Sequence, residues 1–282
     1  MGKHWIPQAY LRAFATSQDP LQIHMYDKST RRWTRAAIKK VAQDSQYFSQ
    51  ETEERLAREV EGPAHIALAK LREGQRLTED EGGDLLRYIA VMILRVPRHR
   101  EFARKLIPQT ITSVFEKNRT ELAALRSPEN ERRVLAVLKE LERLEPLYQA
   151  NPDEMLKHEL RTPWPSDVIS GAVSSMAWRL VRVPSSCPLL TSDNPAFYFS
   201  GYGLGSEESE LTFVIDQGLA LLGSRRGAAG SLHELEAKTP LAKEINRRVI
   251  VGADRFVFSP FPFSWVSEVA KKGEPDLSRI IW

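Results

Sequence analysis

Apolar positions change their period twice along the 282-residue chain. In LQIHMYD (21–27), Leu21, Ile23 and Met25 alternate with Gln22, His24 and Tyr26, the period of a half-buried strand. DKST supplies a turn, and RRWTR is placed to return as the hairpin partner. From about residue 50 the period lengthens to that of a helix. Ser49 is placed to cap, and Glu51, Glu53 and Glu54 suit the positive end of the helix dipole. Gly62-Pro63 breaks or restarts this helix, and Gly74 ends it.

The next helix is the best marked. Thr78 and Glu81 have the T-x-x-E spacing of a capping box. Leu85, Ile89, Met92 and Val96 form an apolar stripe, and Pro97 places the end near Arg95. Helices are also expected at about 98–118 and 128–148, the second with Val134, Leu138, Leu141 and Leu144 on one side. After TPWPSD, Ser166 is placed to cap a helix that turns Ile169, Val173 and Met176 inward. Short strand-like pieces follow: WRLVRV, CPLLTS, LTFVI, LALLG, RVIVG and RFVFS, with one helix near 240–247 capped by Thr239. The pattern predicts a single α+β domain over 1–282, with a helical portion at about 50–176 inserted between β-rich ends. Its sheet is expected to be mixed, largely antiparallel, and built from both terminal segments.

Charge narrows the partners less than it first promises. Forty basic residues against 37 acidic ones leave a net charge of +3, which argues against a protein that coats nucleic acid. Two stretches, RRWTRAAIKK and RVPRHREFARK, are nevertheless basic enough to line a local groove. Cys187 is the single cysteine, so an intramolecular disulfide and a cysteine zinc site are excluded. The first residues lack the apolar run of a signal peptide, and IAVMIL (89–94) is too short to span a bilayer, so a cytoplasmic protein is expected. G-x-S-x-G, H-E-x-x-H, a Walker loop and G-x-G-x-x-G do not occur.

Four stretches concentrate reactive or binding side chains. H-x-x-P-x-x-Y-L-x-x-F spans His4 to Phe14, where aromatics hold a histidine in a fixed position. REVEGP carries Glu59 and Glu61. R-x-P-R-x-R brings Arg95 to Arg100 to a helix end, where guanidinium groups suit phosphate or carboxylate ligands. TSDNP, Thr191 to Pro195, reads as a strand running into a tight turn. His99, His158 and His233 read as surface residues and His65 as packed.

Together these stretches resemble a bacterial and fungal family catalogued as domain of unknown function 4238. His4, Pro7, Tyr10, Leu11 and Phe14 match its opening, Arg95, Pro97 and Arg100 its R-x-P-x-x-R, and Thr191 to Pro195 its TSDNP. Asn246, Ala253, Arg255 and Phe256 to Phe258 match a later segment approximately. Met92 and FVIDQG depart from the glutamine and PLS segment often seen there. The resemblance implies a site but no particular reaction.

The residues lead to one principal expectation, a phosphodiester-cleaving enzyme acting on RNA or DNA, as a toxin or anti-phage effector would. Catalytic roles fall to His4, Asp193, Asn194 and Glu61, and substrate-binding roles to Arg95, Arg100, Tyr10 and Ser192. Asp193 and Glu61 would hold any metal, with magnesium or manganese the ion expected. The alternatives are a non-enzymatic sensor or partner-binding module for an anionic ligand, and a hydrolase of a small phosphorylated metabolite. The geometric expectation is that His4, Arg95 and Asp193 converge in one cleft.

Overall fold

The structure is a computed structural model and describes residues 4–16, 21–43, 49–155, 167–199 and 201–272. Its architecture is α+β, with a helical middle and largely antiparallel sheets. Two compact units are present: Met1–Pro97 with Trp164–Trp282, and Arg98–Pro163.

In the larger unit, the opening helix α1 (Gln8–Leu11) precedes β1 (Gln22–Asp27) and β2 (Arg32–Ala37). These two strands form the expected hairpin, with His24 opposite Arg35 and Asp27 opposite Arg32. Helix α2 (Gln50–Leu56) starts at Ser49, whose side chain accepts from the Thr52 amide. A π-helical turn, Ala57–Glu61, joins it to α3 (Gly62–Arg72). Gly62-Pro63 therefore widens the helix where a break or restart was expected. Helix α4 (Glu79–Leu94) has both halves of its capping box, and Arg95 is its C-cap. Leu85, Ile89, Met92 and Val96 are all buried.

Strands then divide between two sheets. β4 (Thr191–Ser192) and β9 (Phe256–Ser259) join the hairpin in the order β2-β1-β9-β4. The second sheet, in the order β5-β6-β7-β3-β8, holds β3 (Ala177–Arg182), β5 (Ala196–Tyr198), β6 (Glu210–Asp216), β7 (Leu219–Ser224) and β8 (Leu232–Glu236). Helix α7 (Asp167–Ser174) packs on α4, with Val173 and Met176 buried; Ser166, the expected cap, lies outside the described residues. Helix α8 (Thr239–Gly252) packs on β4, β5 and β6, and α9 (Trp265–Ala270) follows β9. RVIVG lies inside α8, which corrects its reading as a strand. Ala242, Ile245 and Val249 are buried at spacings of three and four, so the helical period runs through the β-branched residues. Gly252 ends α8 where a Cβ would come within 2.2 Å of the Phe197 ring.

The smaller unit contains α5 from Arg98 onward (full span Pro97–Ala124) and α6 (Glu131–Ala150). Ala103, Ile107, Ile111 and Phe115 recur every fourth residue and pack with Tyr148. No helix of the described residues is long and apolar enough to cross a membrane.

Candidate functional site

The opening segment is docked by its aromatics. Tyr10 and Phe14 are fully buried, and the Tyr10 ring lies 5.5 Å from both Phe14 and Phe213. The Tyr10 hydroxyl donates to the Val214 carbonyl at 2.7 Å, so at 2.8 Å it accepts from the Thr191 hydroxyl. Tyr10 thereby ties the first motif to TSDNP through a buried hydrogen bond, with no face left for substrate.

His4 is held as firmly. Its Nδ1 lies 3.0 Å from the Val41 carbonyl, which only accepts, so Nδ1 carries the proton. Nε2 then presents its lone pair to the side-chain amides of Gln8 at 2.9 Å and Gln43 at 3.2 Å. Burial, and Arg95 after it, lower the imidazole pKa and keep the ring neutral. Gln8 is half-buried and Gln43 exposed, so Nε2 faces a rim that solvent reaches. Between Val41 and Gln43, Ala42 adopts φ 54°, a left-handed conformation a non-glycine residue seldom takes. Its carbonyl accepts from the Trp5 amide, so the strained turn fixes the loop on both sides of His4.

Arg95 does not emerge at the helix end. It is 1% exposed, and its guanidinium donates to Glu61 at 2.6 Å, to the His4 carbonyl at 2.5 Å and to Glu53 at 3.4 Å. The π turn explains how one guanidinium reaches two carboxylates eight positions apart. Its wider winding returns Glu61 toward the face that carries Glu53. Arg87 donates to the Glu59 carbonyl within this turn at 3.2 Å, while the Glu59 side chain is exposed and paired with Arg58. Arg95 is thus buried among Glu61, Glu53 and the His4 carbonyl, where an exposed helix-end cation was expected.

Two residues beside this network were missed. His65 sits one turn beyond Glu61 on α3, and its ring meets Tyr88 of α4 edge-on at 6.0 Å. Among the described residues, His65 Nε2 and Tyr88 Oη are both buried and without a hydrogen-bond partner. Tyr88 is 0% exposed, and burial, then Glu61, push its phenol well above the ordinary value. Burial lowers the His65 imidazole. Buried polar atoms are nearly always paired; Tyr26 Oη, Trp178 Nε1 and Ser209 Oγ are further exceptions, and what sets His65 and Tyr88 apart is their position beside each other and Glu61. The available sequence signal was the i, i+4 spacing of Glu61 and His65 on one helical face.

TSDNP forms a separate knot. Asp193 Oδ1 accepts from the Asp254 amide at 2.8 Å, and Oδ2 from Arg255 and Phe256 at 2.7 and 2.8 Å. Burial raises its pKa to about 6 against these three bonds, which hold it down. Asn194 donates to the Gly252 carbonyl at 3.0 Å, and its amide donates to the fully buried Ser192 hydroxyl at 3.2 Å. Asn246 clamps the preceding chain by accepting from Leu190 and donating to Pro188, each at 2.9 Å. Asp193, Asn194 and Ser192 therefore tie α8, β4 and β9 together. A buried hydrogen bond between Tyr10 and Thr191 connects the opening motif to this knot.

In the smaller unit, Arg100 and Arg104 converge on Asp153 at 2.8 and 2.6 Å and hold its carboxyl down at about 2. His99 is half-buried there with its imidazole lowered to about 4 by burial, which corrects its reading as a surface residue. His233 is exposed as expected, and His158 lies outside the described residues. Burial pushes the Cys187 thiol up, away from reactivity. Among the described residues no three His, Cys, Asp or Glu side chains gather as a metal-binding group.

The family model described as "Protein of unknown function (DUF4238)" matches residues 3–260, and the chain belongs to that family. No curated protein and no solved structure matches it.

Proposed function

We propose that this chain is a phosphodiester-cleaving enzyme acting on RNA or DNA in the cytoplasm, with His4 as its general base. The observation that carries the reading is the placement of His4: Nδ1 oriented by the Val41 carbonyl, and Nε2 facing the side-chain amides of the half-buried Gln8 and the exposed Gln43. A base needs that orientation before it needs a tuned pKa. In the reaction, an attacking hydroxyl or water replaces a glutamine amide at Nε2. Its proton passes to His4 as its oxygen bonds to phosphorus and the ester oxygen departs. Arg95 keeps His4 and Glu61 in place, and Tyr88 and His65 supply unpaired polar groups next to Glu61. The exposed Lys39 and Lys40, just before Val41, take the phosphate-binding role first expected of Arg95. In a cell such an activity acts as a toxin or anti-phage effector.

The test incubates the protein with RNA, single- and double-stranded DNA and nucleotides, with and without magnesium or manganese. Cleavage of a polynucleotide is expected, and His4→Gln should reduce it roughly 100- to 10,000-fold. Because the His4 pKa is lowered, the acid limb of the rate profile should fall below pH 6.5. No cleavage of any substrate in either condition overturns the proposal, and cleavage of nucleotides alone moves it to a small phosphorylated metabolite. A second reading, a binder of anionic ligands without turnover, is favoured by Nε2 already accepting from Gln8 and Gln43. It predicts ligand binding that His4→Gln leaves intact.

A further inference from the structure

The hairpin sheet brings a basic run and an aromatic run to the same end. Strand β2 continues past Arg35 into a short 3-10 turn with Lys39 and Lys40, and all three side chains are exposed. β1 lies between β2 and β9, with His24 opposite Arg35 on one side and Ser259 on the other. Arg35 and Ser259 are thus two strand spacings apart, about 10 Å. Immediately beyond Ser259 the chain reads PFPFSW. Phe261 is 60% exposed and Trp265 37% exposed, and Phe263 between them is half-buried. The rings form a series, with centroids 6.4 Å apart from Phe261 to Phe263 and 5.7 Å from Phe263 to Trp265.

This run is anchored. His24 Nδ1 donates to the Pro260 carbonyl at 2.8 Å, and the Ser259 hydroxyl donates to the Phe261 carbonyl. The aromatics are therefore tied to the strand that faces Arg35. Ordered rings beside exposed cations match the chemistry of a single-stranded polynucleotide, whose bases stack while its phosphates pair with Arg and Lys. A membrane-surface element would instead carry its apolar residues along one face of an amphipathic helix, and α9 has six residues.

We infer that this end of the sheet, formed by Arg35, Lys39, Lys40, Phe261, Phe263 and Trp265, is a docking surface for single-stranded nucleic acid. The inference deepens the hydrolase reading by assigning where the polynucleotide lies. Lys39 and Lys40 immediately precede Val41, which orients His4, so a strand laid across the surface leads to the base.

Binding is measured apart from turnover, by fluorescence anisotropy with labelled oligo-uridylate and oligo-thymidylate in EDTA, on a full-length His4→Gln chain. Single strands should bind more tightly than a duplex. Phe261→Ala and Trp265→Ala should each weaken binding roughly 5- to 150-fold, the range for losing one stacked base. Replacing Arg35, Lys39 and Lys40 together with Ser should flatten the dependence of log affinity on log salt by about 2, from three lost phosphate contacts. Absence of binding, equal affinity for duplex, or indifference to the ring and basic substitutions overturns the inference. So does binding to phosphatidylcholine–phosphatidylserine vesicles in place of oligonucleotide. Binding that behaves as expected in a protein that cleaves nothing leaves this surface standing and removes the hydrolase reading.

Discussion

Two buried polar regions of the larger unit differ in how fully their polar atoms are paired. Around Asp193 the polar groups are matched: three backbone amides meet two carboxylate oxygens, and the side chains of Asn194 and Asn246 bond backbone carbonyls or amides. Around Glu61 they are not. Arg95 is fixed by Glu61 and the His4 carbonyl, yet among the described residues His65 Nε2 and Tyr88 Oη beside them have no hydrogen-bond partner. A knot paired in this way rigidifies the fold. A region that leaves polar atoms unpaired is destabilised, and a ligand or a proton transfer can make use of those atoms. The most conspicuous polar motif in the sequence, TSDNP, belongs to the first kind.

Substitution should separate the two regions by size of effect. Asp193→Ala leaves three buried amides without an acceptor, and a loss of about 3–5 kcal/mol is expected in a denaturant melt. A loss below about 1 kcal/mol would mean that water reaches the knot and that it is not the closed structure described. Arg95→Lys follows. One ammonium cannot hold both Glu61 and the His4 carbonyl in the fork geometry of a guanidinium, so about 2–4 kcal/mol should be lost. Stability equal to wild type in that variant would show Arg95 to be unnecessary for placing His4.

Acid acts on the two regions in opposite directions. His4 and His65 beside Glu61, and His99 in the smaller unit, have lowered folded-state values, so the folded chain binds fewer protons than the unfolded chain below about pH 6.5. Their contribution is complete above that pH and is lost as pH falls toward the folded values. For His99, at about 4, the loss is at most roughly 3 kcal/mol. Asp193 has a raised value, about 6, so its contribution is present at low pH and is lost as pH rises through 6. His99→Gln should therefore lose less stability than wild type between pH 7 and pH 4, and Asp193→Asn should lose more. Stability curves measured against pH for both variants check the signs, and parallel curves would refute the assignment.

Much of the fold was legible because it depends on local spacing. Ser49, the Thr78–Glu81 capping box, the stripe ending at Val96 and the β1–β2 hairpin each rest on residues a few positions apart. RVIVG was misread because five residues rich in β-branched side chains are too few to show which period they continue. The candidate site was legible only as a set of residues. Arg95 reads as a helix-end cation until Glu61 and His4, 34 and 91 positions away, are seen to bury it. That Arg95 meets both Glu61 and the His4 carbonyl was within reach of the motifs, whereas the three backbone amides that Asp193 accepts from lie in a segment 61 to 63 positions later and leave no mark in TSDNP itself. Nothing local distinguishes Tyr88 from the apolar residues around it, since its missing hydrogen bond exists only in three dimensions.

Two tyrosine hydroxyls make the sharpest comparison. Tyr10→Phe removes a group that donates to Val214 and accepts from Thr191, leaving buried partners unpaired, so about 1–3 kcal/mol of stability should be lost. Tyr88→Phe removes a hydroxyl that has no partner and is fully buried, so the fold should be unchanged or stabilised by up to about 1 kcal/mol. If the region around Glu61 exists for structure alone, the second substitution improves the protein and does nothing else. If it exists for chemistry, the stabilised variant loses turnover while His65 and His4 keep their titration by NMR. A Tyr88→Phe chain that is stabilised and also fully active would remove Tyr88 from the site and leave the rim around His4 as the reactive face.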